Sequence, residues 1–460
     1  MNKMKKAKRI TAILLTLVLC FAFVACNKDT TGGNETTSSN EATGSNEATG
    51  GETAGGGVSR NVRDYWTPAD GPPTSYDPNS EVYTMANRLP WTGIFAPPDA
   101  SRAHLEKSIS TLLAKDSSNI TIGYPTMTVG TPYFAYLERT VRDAAEALGW
   151  TVITQSSDFD IVRHIANIEN FITMGVDVII NQSLLPEAEA TAIQQAVDAG
   201  IPVIGVGMEY PVDCPVITNA GAMFYEMGFE LGIYTAEHFN GEFVRLALNP
   251  GVPSQAISDG KTNGFIGGFV YARAIQNGEP MTREEAMMYG YNLHQETVRT
   301  AKFVDTKHNW ECVASIDGQW SKEGGQSATE DILTANPDIN LLFAGNDEQA
   351  MGASLAVQQA GLKPGEDVII VAVGDCSKVA LEHILDGRIY AIMLFSPITS
   401  AKSTVDLLEM MFFEGFDANN LPRSLVLGID IANADNAAEW MLTGDENYPV
   451  QKDEPILPLD

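Results

Sequence analysis

The chain has 460 residues, 44% of them hydrophobic, and a formal charge of −30. That length exceeds one simple core and suits two or more lobes. The acidic balance disfavours a nucleic-acid partner, which needs a basic surface, and suits a protein kept dispersed outside the cytoplasm.

The first residues, "MNKMKKAKRITAILLTLVLCFAFVAC", set a basic segment before an apolar run from Ile10 to Ala25. The run falls short of the roughly 20 residues of a bilayer span and has the form of a secretory signal over residues 1–25. Its end, Phe23-Val24-Ala25-Cys26, resembles a bacterial lipobox with Phe23 in place of the usual leucine. The resemblance implies cleavage before Cys26 and lipidation of that cysteine, attaching the protein to a membrane through its lipid. The alternative is an uncleaved anchor helix. Loss of the leader removes five cations and takes the formal charge from −30 to −35. Residues 26–57 carry two successive copies of "SNEATG" and no apolar anchor, so they predict a flexible tether.

Residues 58–118 form an extension rich in Pro and aromatics, without a sustained period except a predicted helix from Ala103 to Ala114. From Asn119 the pattern changes. "NITIGYP" predicts a strand, and Phe134, Leu137, Val141, Ala145 and Leu148 mark one face of a following helix. "TVITQSS" is the next strand. Ile161, Ile165, Ile168 and Ile172 then give a helix stopped at Gly175. "VDVIINQ", a helix from Pro186 to Gly200, and "IPVIGVG" continue the alternation. After a helix over Phe224–Phe239 it resumes with strands "FVRLALN", "ECVASID", "INLLFAG", "DVIIVAV" and "RIYAIML". Helices are predicted near Glu323–Thr334, Glu348–Ala360 and Lys378–Leu385. Strands buried on both faces alternating with amphipathic helices imply two α/β lobes, each a doubly wound parallel sheet. Ligands of such sheets sit beyond the carboxyl ends of the strands.

Four segments in order, from Asn119 to Ala432, resemble the type I periplasmic sugar-binding proteins, the ribose- and galactose-binding group of ABC importers. They are "TPYF", "MGVDVIINQ … AVDAGIPVI", "INLLFAGNDEQAMGASLAVQQAGL" and "VIIVAVGDCSKVALEHILDGRIYAIMLFSP". The resemblance implies lobes of 119–219 plus 396–427 and 220–395 plus 428–445, with a three-segment hinge and a tail at 446–460. It implies a small-molecule ligand, a monosaccharide or related polyol, gripped between the lobes and passed to ABC permease subunits. Tyr133 and Phe134 stand where family aromatics stack on a sugar ring, and Trp320 stands at the matching place in the second lobe. Asn346 and Asp375 supply the polar fringe, since an amide and a carboxylate together read vicinal hydroxyls. Capping is the alternative for both, and Asp347 is expected to cap the helix it opens.

Departures from the family pattern keep the ligand open. Gly207-Met208 replaces an Asp-Arg pair, Thr131 replaces an Asn, and Phe395 replaces a Gln. The family's Arg on the first helix of the second lobe is matched by Lys261 or by Phe265. The region near 275–300 is longer than the family needs and predicts an extra helix at the lobe rim. Gly260-Lys261-Thr262 ends like a phosphate-binding loop, but Gln255 stands where its first glycine is required, so no nucleotide cofactor is expected. The six histidines make no metal spacing and no nucleophile elbow is present, which points to a binder and away from an enzyme. A receptor serving a membrane sensor kinase shares every one of these features with an importer component. Cys214, Cys312 and Cys376 are widely spaced and odd in number, and are expected to be buried free thiols.

Overall fold

The computed structural model describes residues 119–207, 210, 214–222, 224–252, 255–413, 424–426 and 430–450. The leader, Cys26, the tether, the 58–118 extension and the helix expected over Ala103–Ala114 lie outside these residues.

The first sheet contains β1 (Thr121–Thr126), β2 (Thr151–Ser156), β3 (Val178–Asn181), β4 (Val203–Val206), β5 (Asn219–Gly221) and, from late in the chain, β12 (Ser424–Val426). Its order is β12-β5-β4-β3-β1-β2, parallel throughout. Strands β3 and β4 are buried at every residue, because α1 (Pro132–Ala147), α2 (Ile161–Met174) and α3 (Pro186–Asp198) return the chain over the sheet. The predicted α1 stripe holds at Leu137, Val141 and Ala145, all fully buried. Helix α2 starts at Asp160, whose carboxylate accepts from the amides of Val162 (2.9 Å) and Arg163 (3.1 Å), and it stops at Gly175, where φ is 66°.

The second sheet repeats the winding. It contains β6 (Val244–Asn249), β7 (Phe303–Asp305), β8 (Trp310–Ser315), β9 (Leu341–Ala344), β10 (Ile369–Val373), β11 (Ala391–Leu394) and β13 (Asp430–Asn433), in the order β13-β11-β10-β9-β6-β8-β7. Only the edges β7 and β13 run antiparallel. In the first sheet β2 and β3 flank β1 on opposite sides, and in the second β8 and β9 flank β6 on opposite sides, which creates a switch point at the carboxyl ends of β1 and β6. Helices α4 (Phe224–Phe239), α5 (Ala256–Gln276), α7 (Lys322–Ala335), α8 (Asp347–Gln359) and α9 (Lys378–Leu385) belong with this sheet. Helix α10 (Pro397–Phe413) packs on α1, and the four-residue α11 (Ala437–Trp440) on α9. The fold is the expected α/β class with two parallel-strand sheets. The chain leaves the first sheet after β5, returns after β11 and crosses again between β12 and β13. Cys214, Cys312 and Cys376 are free and buried, as expected.

Helices α4 and α5 touch backbone to backbone. A Cβ on Gly228 would stand 2.2 Å from the Lys261 carbonyl oxygen, and one on Gly264 would stand 2.0 Å from that of Tyr225. Only glycine permits this approach, and it fixes the level of Lys261 along α5.

The long 275–300 region does carry an extra helix, α6 (Arg283–Thr300), opened by a capping box of Thr282 and Glu285. It is held firmly. Arg283 pairs with Glu226 and Glu230 of α4, and the Tyr289 hydroxyl donates to Asp305, which also accepts from His308 and Trp310 of the β7–β8 hairpin.

Candidate functional site

Residues just beyond the carboxyl ends of strands from both sheets line one cavity of about 410 Å³. All seven ligand-site residues named from the sequence border it: Thr131, Tyr133, Phe134, Lys261, Trp320, Asn346 and Asp375.

One wall is aromatic. Pro132 opens α1 with its fixed φ, so Tyr133 and Phe134 fall in the first turn and turn toward the cavity. Thr131 occupies the cap position, yet its hydroxyl caps nothing and is buried without a partner among the described residues. Tyr133 stacks on Phe395, with centroids 5.5 Å apart, and meets Phe134 edge-on at 5.2 Å. Phe395 also meets Phe224 of α4 edge-on at 5.4 Å. Phe395 follows β11, where the chain passes from one sheet to the other, and its ring therefore touches residues that belong with each.

Trp320 comes from the loop between β8 and α7. Its indole lies against backbone: a Cβ on Gly251 would stand 2.0 Å from Cζ2, and one on Gly345 3.1 Å from Cζ3. Its Nε1 donates to Gln255 Oε1 at 2.7 Å. The ring is thus held at its edge and supported below.

Lys261, and not Phe265, faces the cavity. Phe265 is fully buried against Phe343 and Phe269. The Lys261 ammonium donates to the carbonyls of Gly345 (3.0 Å) and Val373 (2.8 Å), tying the ends of β9 and β10 together. It lies 5.1 Å from the Trp320 ring and 5.3 Å from that of Phe224. Burial lowers its pKa to about 8 against the opposing pull of Asp375 and Asp347.

The capping role falls to Asn346 and not to Asp347. Asn346 is the cap of α8: its Oδ1 accepts from the Gln349 amide at 3.0 Å and its Nδ2 donates to the Trp320 carbonyl at 3.3 Å. Asp347, expected to cap, reaches instead to the β10–α9 loop and accepts from the amides of Asp375 (3.0 Å) and Ser377 (2.6 Å). An extended backbone at Asn346 gives it the capping geometry and turns the next side chain sideways. Asp375 caps nothing either, since Ser377 caps α9. Among the described residues no group donates to the Asp375 carboxylate. Burial, then the charge of Asp347, push its pKa up to about 7, and Lys261 pulls the other way. The cavity thus contains a carboxylate that lacks a donor, beside a cation with two of its three N–H groups engaged.

Two polar contributors escaped the sequence reading. Gln182 follows β3. Its Oε1 accepts from Thr126 Oγ1 (2.5 Å) and the Met127 amide (3.3 Å), which leaves the amide nitrogen for the cavity that Gln182 lines. Tyr448 arrives from the C-terminal segment, its ring 4.9 Å from that of Tyr136. That segment is anchored by the Lys378 amide donating to the Asn447 carbonyl (2.8 Å) and Ser396 Oγ donating to the Pro449 carbonyl (2.6 Å).

Behind Gln182 a sealed network sets the rim of the first sheet. His164 contacts Ser157 Oγ (3.2 Å) and Asn181 Oδ1 (3.1 Å), and Asn181 Nδ2 donates to Glu189 (2.8 Å) and Tyr210 (3.0 Å). Ser157 donates in turn to the carbonyls of Thr126 and Met127, so the ends of β1, β2 and β3 are fastened together.

A family model described as "Periplasmic binding protein domain" matches residues 122–412. The chain belongs to the periplasmic binding protein family. Among family members, the ribose import binding protein RbsB of Escherichia coli K12 is 23% identical over 282 residues, 61% of this chain and 81% of its own. A D-apiose import binding protein of Actinobacillus succinogenes is 25% identical over 294 residues, 63% of this chain and 79% of its own. The fold agrees with solved structures. A galactofuranose-binding protein aligns with a TM-score of 0.57 and 20% identity, over 70% of this chain and 96% of that one. A solute-binding protein of Actinobacillus succinogenes with bound D-allose gives 0.56 and 21%, over 70% and 100%.

Proposed function

We propose that this protein is a lipid-anchored, extracytoplasmic solute-binding protein that closes around a small sugar or related polyol and delivers it to the permease subunits of an ABC importer. The observation that carries this reading is the cavity lined from the strand ends of both sheets, floored by Trp320, walled by Tyr133 and Phe395, and fringed by Asp375, Lys261 and Gln182. A sugar ring has a C–H face that suits a flat aromatic and hydroxyls that need both donors and acceptors. Gln182 and Lys261 supply donors, and Asp375 an acceptor still lacking its own. The import binding proteins of ribose and apiose among its relatives support the same substrate class.

Closure about the three inter-sheet crossings would cover the ligand, and the ligand's extra contacts in the closed form would shift the equilibrium toward it. The partner surface is then the closed pair of lobe rims. Chemistry on the ligand is not part of this reading: the donors and acceptors serve to hold it.

The test is a thermal-shift screen of the mature chain, residues 26–460, against monosaccharides and polyols. A ligand at 100 times its Kd stabilises by about 2.7 kcal/mol. A complete set of aldoses, ketoses and inositols that produces no shift rejects the reading.

A further inference from the structure

The aromatic wall continues past the ring pair that would hold a sugar. Beyond Tyr133, Phe134 meets Phe159 edge-on at 6.1 Å, and Phe159 lines the same cavity while remaining 44% exposed. Its backbone is unusual. Asp158 and Phe159 are consecutive left-handed residues, with φ of 49° and 61°, a region that residues bearing a Cβ avoid. The loop is held in place nonetheless: the Phe159 amide donates to the Met127 carbonyl (2.9 Å), and Asp158 accepts from Ser156 Oγ and pairs with Arg163 (both 2.7 Å). Strain this well supported, at a cavity edge, presents a side chain for use.

The second sheet repeats the device. Gln319 and Trp320 are also consecutive left-handed residues, with φ of 54° and 55°. Both pairs follow the parallel strand beside the first strand of their sheet, β2 in one case and β8 in the other, and both precede a helix cap, Asp160 and Ser321. Phe159, and not Tyr133 or Phe134 as the sequence suggests, is therefore the counterpart of Trp320: those two follow β1, the first strand. One such ring per sheet, in addition to Tyr133, is more flat surface than a single sugar covers. A second sugar is poorly served at the outer end, because neither acidic neighbour of Phe159 lines the cavity: Asp158 turns to Ser156 and Arg163, and Asp160 to its cap.

Granting the sugar-binding reading above, we propose that the ligand is a glycoside with a flat, apolar aglycone, its sugar held by Asp375, Lys261 and Gln182 and its aglycone resting on Phe134 and Phe159. Aryl O-glycosides and nucleosides share this chemistry. The outer rings supply stacking without asking for hydrogen bonds.

The test titrates the mature chain calorimetrically with D-ribose, D-glucose and D-galactose, with their methyl and phenyl β-glycosides, with adenosine and uridine, and with lactose. The expected result is that a phenyl glycoside or a nucleoside binds about tenfold or more tightly than the matching free sugar. Which of the two classes does so identifies the source. Phe159→Ala brings that ratio close to one, Phe159→Trp restores it, and Trp320→Ala weakens free sugar and glycoside alike, preserving the ratio. A free sugar binding as tightly as its phenyl glycoside and its nucleoside, or lactose binding best, overturns the aglycone proposal and leaves the sugar reading standing. Silence from every probe overturns the aglycone proposal, and the sugar reading falls with it only if the full set of aldoses, ketoses and inositols is silent too.

Discussion

Trp320 lies so close to Gly251 that a Cβ on the glycine would stand 2.0 Å from the indole. The flat face offered to the cavity is thus defined by a residue with no side chain, 69 positions earlier in the chain. Gly251→Ala is expected to force the ring off its support and weaken ligand binding by at least about tenfold, the effect of losing roughly 1.4 kcal/mol. Trp320→Ala is expected to diminish the ligand-induced thermal shift strongly while far-UV circular dichroism stays unchanged. A full shift in Trp320→Ala would remove this residue from the grip on the ligand.

The donor-starved carboxylate of Asp375 predicts a pH dependence in two directions. Its folded pKa of about 7 stands above the ordinary 3.8. The folded state therefore holds the proton between those values, and stability conferred at low pH is lost as pH rises toward 7. Asp375→Asn is expected to raise the melting temperature of the free protein at pH 8 and to change it far less at pH 4. Binding has the opposite sign: a ligand hydroxyl donates to the ionised form, so affinity falls as pH drops below about 7. Kd measured from pH 5 to 8 should show that acid limb in the native protein and a flat, weaker profile in Asp375→Asn. An identical limb in the variant would assign the titration elsewhere.

Strand and helix placement was legible because strands such as β3 and β4, covered on both faces, must be apolar at every position, and the helices between them keep one stripe. Tyr133, Phe134 and Asp375 were legible as cavity residues through a family pattern in ordered segments, and Trp320 through its place in the second lobe. Phe159 was not: two consecutive left-handed residues leave no mark when neither is glycine. Tyr448 was hidden for a different reason. Its segment is anchored by tertiary contacts alone, among them the bond from its neighbour Asn447 to Tyr136, 311 positions away. Asn346 and Asp347 were interchangeable on paper, since either type caps helices, and only the backbone turn at Asn346 assigns the roles.

The proposed membrane attachment would run through Cys26, in the lipobox-like Phe23-Val24-Ala25-Cys26. Cys26→Ser is expected to move the protein from the membrane fraction to the soluble fraction of cells, and to abolish incorporation of labelled palmitate. A variant that stays with the membrane and keeps its N-terminal residues by mass spectrometry would instead establish an uncleaved apolar anchor.

The last prediction joins fold to site through the glycine contact of α4 and α5. Gly264 lets α5 sit on the Tyr225 carbonyl, and three residues earlier the Lys261 ammonium spans the carbonyls of Gly345 and Val373. Gly264→Ala gains helix propensity of about 1 kcal/mol, yet its methyl would stand 2.0 Å from a backbone oxygen that cannot rotate away. Overpacking against backbone costs on the order of 1–3 kcal/mol, so the clash wins and the urea midpoint falls. Separation of the two helices also withdraws Lys261 from one or both carbonyls, so ligand affinity should fall in the same variant. Lys261→Met tests the second half alone, because it leaves the glycine contact intact and removes only the donor. Affinity that drops in Lys261→Met but not in Gly264→Ala would show that the lysine keeps its place without the close helix contact.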